Sequence, residues 1–200
     1  MPSKNDLWTE VTTSEHDHER AALHFIRQRF PDREPFRAWT NFMFIAGDGS
    51  RNEVDLLAIT PTGVYLVEIK SFPGRIDGDA GTWKWTAPDG YQKTFDNPLL
   101  LAERKAKKLK SLLVRQQAFR TPKMRGESFY LKSIVFLSNP DLTIGLDEPG
   151  RTDVYGPDTD EENSSQENDL PGLIRLFMQI DPKYGREVDR PLSQAIADAV

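Results

Sequence analysis

Two neighbouring apolar segments that carry charged residues constrain this chain more than any other feature of its sequence. Residues 53–60 and 64–70 are predicted β-strands, because Val, Leu and Ile dominate them and the turn-forming residues 60–63 (Thr-Pro-Thr-Gly) separate them. Asp55 lies in the first segment, and Glu68 and Lys70 lie in the second. Side chains alternate along a strand, so Glu68 and Lys70 share one face. Charges in apolar surroundings are costly unless they are paired or bind a metal ion, so all three need partners.

Hydrolysis of a phosphodiester explains this set of side chains. Asp55 and Glu68 offer the hard oxygen ligands that suit Mg²⁺ or Mn²⁺, and such an ion lowers the pKa of a bound water and neutralises charge on the phosphate. Lys70 is suited to orienting the attacking water and to stabilising the pentacovalent phosphorane. The alternative is that Glu68 and Lys70 form an ordinary surface ion pair, which is the usual interpretation of an isolated Glu-x-Lys in a strand.

The rest of the pattern predicts an α/β fold with a central mixed β-sheet and helices on both faces. A first helix is predicted at 17–30, where Glu19 lies on the same stripe as the apolar residues, and a second at 97–117. We expect the acidic metal site at the sheet edge near the first helix. The other predicted elements are strands at 36–46, 53–60, 64–70 and 130–138, a short hairpin or irregular excursion at 73–96, a loop at 158–169, and helices at 170–179 and 191–200.

Charge is distributed unevenly along the chain. The formal net charge is −5, yet residues 97–125 carry nine basic residues against Glu103 alone, and residues 141–170 carry ten acidic residues against Arg151 alone. The apolar stripe of the second helix leaves a basic face outside, which is either a phosphate-binding surface or simply solvated. Its members are Arg104, Lys107, Lys108 and Arg115.

Composition narrows the class of protein further. The chain has no cysteine, so it contains no disulfide and no thiolate metal site. No stretch approaches the roughly 20 apolar residues that cross a bilayer, and the amino terminus lacks the apolar segment of a secretory signal. We therefore expect a soluble cytoplasmic protein without a membrane partner.

Four short strings follow one another along the chain: Glu19-Arg20-Ala21-Ala22, Glu53-Val54-Asp55-Leu56-Leu57, Gly63-Val64-Tyr65-Leu66-Val67-Glu68-Ile69-Lys70-Ser71 and Asn97-Pro98. In this order they resemble the nuclease-related domain, NERD, of the PD-(D/E)XK nuclease superfamily. The resemblance covers about residues 17–140 and implies a restriction-endonuclease-like fold. It also implies that Glu19, Asp55 and Glu68 are acids of the metal site, with Asp55 and Glu68 as ligands of Mg²⁺ or Mn²⁺, and that Lys70 is the catalytic lysine. The family often has Gly before the helical Glu and Gln soon after Asn-Pro, where this chain has His18 and Leu101.

By this resemblance the expected activity is metal-dependent hydrolysis of DNA, with RNA left open as a substrate. The alternative is a catalytically silent module that keeps the nuclease fold and docks nucleic acid or protein. Domains of this type commonly head larger bacterial proteins, including kinases of phage-growth-limitation defence systems, so we expect carboxyl-terminal domains and defence-system partners. The expected division is an arm at 1–16, a nuclease core at 17–140, and an acidic loop with helices at 141–200 that leads into further domains.

The remaining motifs have plainer interpretations. His16 and His18 form a His-x-His pair, but without a third nearby ligand we do not assign them a metal. Residues 47–49 (Gly-Asp-Gly) are predicted to form a turn rather than a nucleotide-binding loop. Trp83 and Trp85 are predicted to pack rather than to stack on bases. Glu53 is left open between a solvated residue and a group that supports the metal site.

Overall fold

The computed structural model describes residues 7–121, 124, 129–158, 170–179 and 188–200. These residues form two mixed β-sheets flanked by α-helices. The four helices are α1 (Asp17–Arg29), α2 (Pro98–Leu113), α3 (Leu173–Phe177) and α4 (Arg190–Ala199). The strands are β1 (Trp8–Glu10), β2 (Arg37–Ile45), β3 (Arg51–Thr60), β4 (Gly63–Lys70), β5 (Arg75–Gly78), β6 (Thr82–Thr86), β7 (Gln92–Asp96), β8 (Leu131–Leu137), β9 (Thr143–Leu146) and β10 (Val154–Tyr155).

The larger sheet has the strand order β1-β2-β3-β4-β8-β10. Strands β2, β3 and β4 are consecutive and antiparallel, whereas β8 runs parallel to β4 after a long crossover. Helix α1 packs on one face, where Ile26 joins Leu56 and Val67 in one apolar cluster. Helix α2 packs on the other face, where Leu109 joins Leu57 in a second cluster. This arrangement confirms the predicted α/β fold with a central mixed sheet.

Residues 73–96 differ from the predicted hairpin or irregular excursion. They form strands β5, β6 and β7, which join β9 in a second sheet of order β7-β6-β5-β9. Trp83 has no exposed surface and packs with Val135 and Leu137 of β8, so this sheet is attached to the larger one. Gly78 permits the turn into β6, because its φ is +148° and a Cβ there would lie 2.3 Å from the Thr82 carbonyl oxygen.

Two helices are shorter than predicted. Helix α2 begins as expected, with the Asn97 side chain accepting a hydrogen bond from the Leu99 N–H at 2.9 Å, but ends at Leu113. Val114 and Arg115 are exposed, so the apolar stripe that holds the helix to the sheet stops there. Helix α3 has five residues rather than ten.

Asp158 is the one residue of the predicted acidic loop that the structure describes, and the other residues, 159–169, lie outside the described chain. Its carboxylate accepts hydrogen bonds from the N–H groups of Ile174 and Arg175 at the start of α3. Among the described residues, no helix combines the length and the apolar surface that would let it cross a membrane.

Candidate active site

Asp55 and Glu68 meet where the pairing between β3 and β4 ends. The last paired residues before this point are Leu56 and Val67. One residue further along, the Asp55 side chain bonds to the β4 backbone. Its Oδ2 accepts a hydrogen bond from the Ile69 N–H at 2.7 Å. The prediction that the site lies at the sheet edge is wrong in position. Strands β3 and β4 are the two innermost strands of the larger sheet, because β2 and β8 pair with their outer sides.

Glu68 is held between two ammonium groups. Its side chain is buried, with 5% of the residue exposed. Its Oε1 accepts a hydrogen bond from Lys70 Nζ at 2.9 Å, and its Oε2 accepts one from Lys105 Nζ at 2.7 Å. Lys105 reaches the site from α2, and 8% of this residue is exposed. Both carboxylate oxygens of Glu68 are therefore bound by lysine.

The environment pushes the pKa values of the two carboxyl groups apart. Burial, followed by the negative charge of Glu68, raises the pKa of Asp55 to about 7. Burial also disfavours the charged form of Glu68, but Lys70 and Lys105 together outweigh it and lower the pKa of Glu68. Glu68 is thus the ionised partner of the lysines, and Asp55 is the acid that is protonated more easily.

Lys70 remains charged in spite of its partial burial. Burial opposes the ammonium form, but the carboxylates of Glu68, Asp55 and Glu19 raise the pKa of Lys70 above its ordinary value. About 30% of the Lys70 side chain is exposed, against 10% for Lys105, so Lys70 is the lysine with access to a substrate.

Glu19 borders this centre and does not bond directly to its other members. It lies in the first turn of α1, and its Oε2 accepts a hydrogen bond from Ser14 Oγ at 2.8 Å. Its charge contributes to the raised pKa of Lys70, although less than those of Glu68 and Asp55. The structure therefore pairs Glu68 with Lys70, holds Asp55 close enough for its charge to act on both, and places Glu19 beside them.

Comparison with protein families supports the resemblance that these residues suggested. The family model described as the nuclease-related domain, NERD, matches residues 14–138, a segment that contains Glu19, Asp55, Glu68, Lys70 and Lys105. The chain belongs to the NERD family.

A longer bacterial protein is similar to this NERD domain. Over 113 residues the domain is 48% identical to the probable kinase PglW of Streptomyces coelicolor, a match that covers 56% of this chain and 7% of that protein. The chain therefore corresponds to a small part of the relative's length. A solved structure, that of AF1548, a protein of unknown function, covers 72% of this chain and 60% of its own at 11% identity, but its TM-score of 0.29 supports no argument.

Asp55 and Glu68 are the residues of the NERD domain that could hold a divalent cation. They supply carboxylate oxygens, which Mg²⁺ and Mn²⁺ prefer. Asp55 Oδ1 makes no hydrogen bond to any residue that the structure describes. Within the same residues, no group of three His, Asp or Glu side chains is arranged to hold an ion. The donor chemistry fits a metal, but each oxygen of Glu68 already accepts a hydrogen bond from a lysine, so a cation there would compete with two ammonium groups.

Lys105 is the functional residue that reasoning from the sequence missed. The predicted apolar stripe of α2 ran through Leu99, Ala102, Ala106, Leu109 and Leu113, all of which are buried. Lys105 is three residues after Ala102 and four before Leu109, so it lies on that stripe. A lysine among the apolar residues on the inner side of a helix could have indicated this ion pair, because a buried lysine needs an acidic partner, here in the sheet.

The predicted basic face of α2 is exposed in part. Arg104, Lys107 and Arg115 are exposed, and Arg115 follows the end of the helix. Lys108 is instead bound to the turn between β2 and β3, where its Nζ lies 2.9 Å from Asp48 and 2.8 Å from Ser50 Oγ. Hydrogen bonds from Ser50 and the ammonium of Lys108 hold the pKa of Asp48 well below its usual range.

Among the described residues, none of the other motifs bonds to the Asp55 or Glu68 carboxylate. The rings of His16 and His18 stack on each other at 5.5 Å and both residues are exposed. Trp83 is buried, whereas Trp85 is partly exposed and its Nε1 donates to the Pro73 carbonyl at 2.6 Å. Glu53 is exposed, and the predicted Gly-Asp-Gly turn connects β2 to β3.

Proposed function

We propose that this NERD domain is a divalent-metal-dependent nuclease that hydrolyses DNA phosphodiesters. The observation that supports the proposal most is the grouping of two carboxylates and a partly exposed lysine at one point of the sheet, where the charges of Asp55, Glu68 and Lys70 act on one another. Here the second acid, Asp55, is kept near the first in spite of the unfavourable effect of their charges on each other.

In the proposed reaction a water oxygen forms a bond to phosphorus while the bond from phosphorus to the leaving oxygen breaks. The attacking water loses a proton to solvent, and the leaving oxygen takes one up. Lys70 orients the water and stabilises the negative charge that develops on the phosphoryl oxygens. Asp55 and Glu68 would hold a Mg²⁺ or Mn²⁺ ion, which when bound lowers the pKa of water and offsets the charge of the phosphate.

The exposed basic residues of α2 would bind the phosphate backbone. Arg104 and Lys107 lie on the exposed side of the helix whose inner side delivers Lys105 to the centre. Contacts of this kind position nucleic acid without reading its sequence.

The proposed biological setting is defence against phage in the bacterial cytoplasm. The similarity to part of the probable kinase PglW supports this setting, and it suggests that the domain acts together with further domains of a longer protein. In such a protein the nuclease would cut DNA and the remaining domains would control when it does so.

Incubation of the purified chain with supercoiled plasmid, linear duplex and RNA tests the proposal. We expect cleavage with Mn²⁺ that is lost in chelator and in Asp55→Ala, while Glu53→Ala, which removes an exposed acid of the same strand, keeps the parental rate. Cleavage by Asp55→Ala at the parental rate would contradict the proposed centre.

A second candidate is a silent docking module, favoured by the two lysines that occupy Glu68. They neutralise the site without any metal, which a module without catalysis could retain for stability. Calorimetric titration with Mn²⁺ separates the candidates. The nuclease should show a binding site that Asp55→Ala removes, and the silent module should show none and cleave nothing.

A further inference from the structure

A cleft of about 260 Å³ beside the candidate centre contains a buried amide that has no partner. Asn41 is one of the residues that line this cleft, and only 7% of it is exposed. Neither its Oδ1 nor its Nδ2 makes a hydrogen bond with any residue that the structure describes. Buried polar atoms are nearly always satisfied, so this amide has hydrogen-bonding capacity that a ligand would use.

The position of Asn41 in the sheet ties the cleft to the catalytic residues. Thr40 pairs with Leu56, and Phe42 pairs with Val54, which places Asn41 directly opposite Asp55. Its φ of +51° lies in the left-handed region, so the strand is distorted at this point. Local distortions of strands next to active sites commonly redirect a side chain. Here the distortion accompanies an amide that lines a cleft instead of joining the core.

The other walls of the cleft carry two arginines and a tryptophan, together with one acid, Glu10. Arg20 follows Glu19 on α1, and Arg27 lies two turns further along the same helix face. Arg20 is already bound to Asp17 and to the Ser14 carbonyl, whereas Arg27 makes no hydrogen bond or ion pair with the described part of the chain. Trp8 of β1 contributes a partly exposed indole ring. The cleft therefore combines an amide, a free guanidinium and an aromatic ring.

We propose that this cleft binds a nucleotide of the substrate strand next to the scissile phosphate. The Asn41 amide donates to and accepts from a base edge that carries a donor beside an acceptor, as adenine does at N6 and N7. Trp8 offers the apolar surface for the base, and Arg27 binds the flanking phosphate. This inference rests on the proposed nuclease function, because it assigns the cleft to a neighbour of the cleaved bond.

Titration of the ¹⁵N-labelled chain with dAMP tests the inference by nuclear magnetic resonance. The side-chain NH₂ signal of Asn41, assigned by its loss in Asn41→Gly, should shift with dAMP and stay in place with inorganic phosphate or deoxyribose 5-phosphate. Glycine adopts the same positive φ without strain, so Asn41→Gly removes the amide and keeps the backbone. We expect this variant to need at least about tenfold more dAMP to shift the Trp8 indole N–H, which is the scale of one lost base contact.

Asn52→Ala is the matched control, because the Asn52 amide belongs to the same sheet and bonds Ser50 instead of lining the cleft. It should bind dAMP as the parent does. If Asn41 is needed only for its backbone conformation, Asn41→Gly will bind dAMP like the parent, and the inference is overturned. If Asn41→Gly does not fold, Asn41→Asp replaces it, since aspartate tolerates the same φ but lacks the NH₂ donor and should also weaken binding.

Failure of the nucleotide-binding inference can be distinguished from failure of the nuclease proposal. Binding of dAMP that depends on Asn41 without any cleavage of DNA or RNA would support the cleft and contradict catalysis. Metal-dependent cleavage with no shift of the Asn41 amide at any dAMP concentration would leave catalysis standing and overturn the cleft.

Discussion

The charges of single residues at the candidate centre depend on one another, because carboxylates and ammonium groups lie close together there. Glu68 has two lysines for one carboxylate, whereas Asp55 has a backbone N–H and a neighbouring charge of its own sign. Removing any one of these groups changes the electrostatics of the others. Substitutions here should therefore separate metal affinity, catalysis and stability.

Lys70→Met should slow cleavage by roughly 10² or more, the scale seen when a preorganised electrostatic group is deleted. Methionine keeps most of the apolar stem and removes the charge, so the packing should survive. Mn²⁺ should still bind, because Asp55 and Glu68 remain. Single-turnover cleavage together with calorimetry measures both effects, and parental cleavage by Lys70→Met would refute the assigned role.

Lys105→Met should bind Mn²⁺ about tenfold more tightly than the parent, or better. The substitution frees Oε2 of Glu68 and removes a positive charge from the site, and both changes favour a divalent cation. Lys84→Met is the matched control, since it removes the same charge from an exposed position on β6. Equal or weaker Mn²⁺ binding by Lys105→Met would show that Lys105 does not compete with a metal for Glu68.

Asp55→Asn should change how stability depends on pH. The folded-state pKa of Asp55 is raised from 3.8 to about 7, so between these values the folded state binds more protons than the unfolded state. The free energy of unfolding of the parent should therefore fall relative to Asp55→Asn as pH rises through this window, and the difference should level off above it. Urea titrations in chelator measure this, and a difference that is constant from pH 4 to 8 would contradict the raised pKa.

Helix α2 carries basic residues on both its inner and its outer side. Its inner stripe packs on the sheet and delivers Lys105, while its outer side exposes Arg104 and Lys107. Its first turn is fixed by Asn97, which caps the helix and also donates to the Ala80 carbonyl in the turn before β6. The helix thus links the second sheet, the candidate centre and a basic surface.

Reversing Arg104 and Lys107 to Glu should weaken DNA binding at low salt and lower the dependence of log K on log salt by up to about two units. Each residue is expected to replace one counterion on the phosphate backbone. The control reverses Lys84 and Lys93, two exposed lysines of the second sheet, and so makes the same change in net charge. Binding isotherms at several salt concentrations decide the matter, and an equal loss in both double variants would assign the effect to net charge.

At the scale of the whole molecule, the two sheets are joined by a shared apolar cluster. Ile76 and Trp83 of the second sheet pack with Val135 and Leu137 of β8, and Leu99 of α2 completes the contact. Because β8 also borders β4, the second sheet supports the strand that carries Glu68 and Lys70. Loosening it should affect both stability and the site.

Trp83→Ala should lower the free energy of unfolding by about 3–5 kcal/mol, as expected for a fully buried aromatic side chain. Trp85→Ala should cost less, because Trp85 is partly exposed and packs at the margin of this cluster, where its ring contacts Phe72 and Tyr91. Urea denaturation measures both variants. Similar losses would mean that Trp83 does not join the sheets in the way its burial suggests.

The sequence by itself determined the features that depend on neighbours along the chain. Alternation in residues 64–70 placed Glu68 and Lys70 on one face, the turn at 60–63 set the hairpin, and Asn97-Pro98 marked the start of α2. The family could also be recognised, because the strings around Glu19, Asp55 and Glu68 keep their order along the chain. These features are local, so a linear pattern carries them.

Only the tertiary structure decided which distant groups meet. The ion pair of Lys105 with Glu68 joins residues 37 positions apart, and the raised pKa of Asp55 follows from burial and from a charge on the next strand. The second sheet needed β9, which is more than 50 residues from β6, and the cleft at Asn41 needed α1 to lie against β2. Burial and charge coupling depend on distance in space, which the order of residues does not contain.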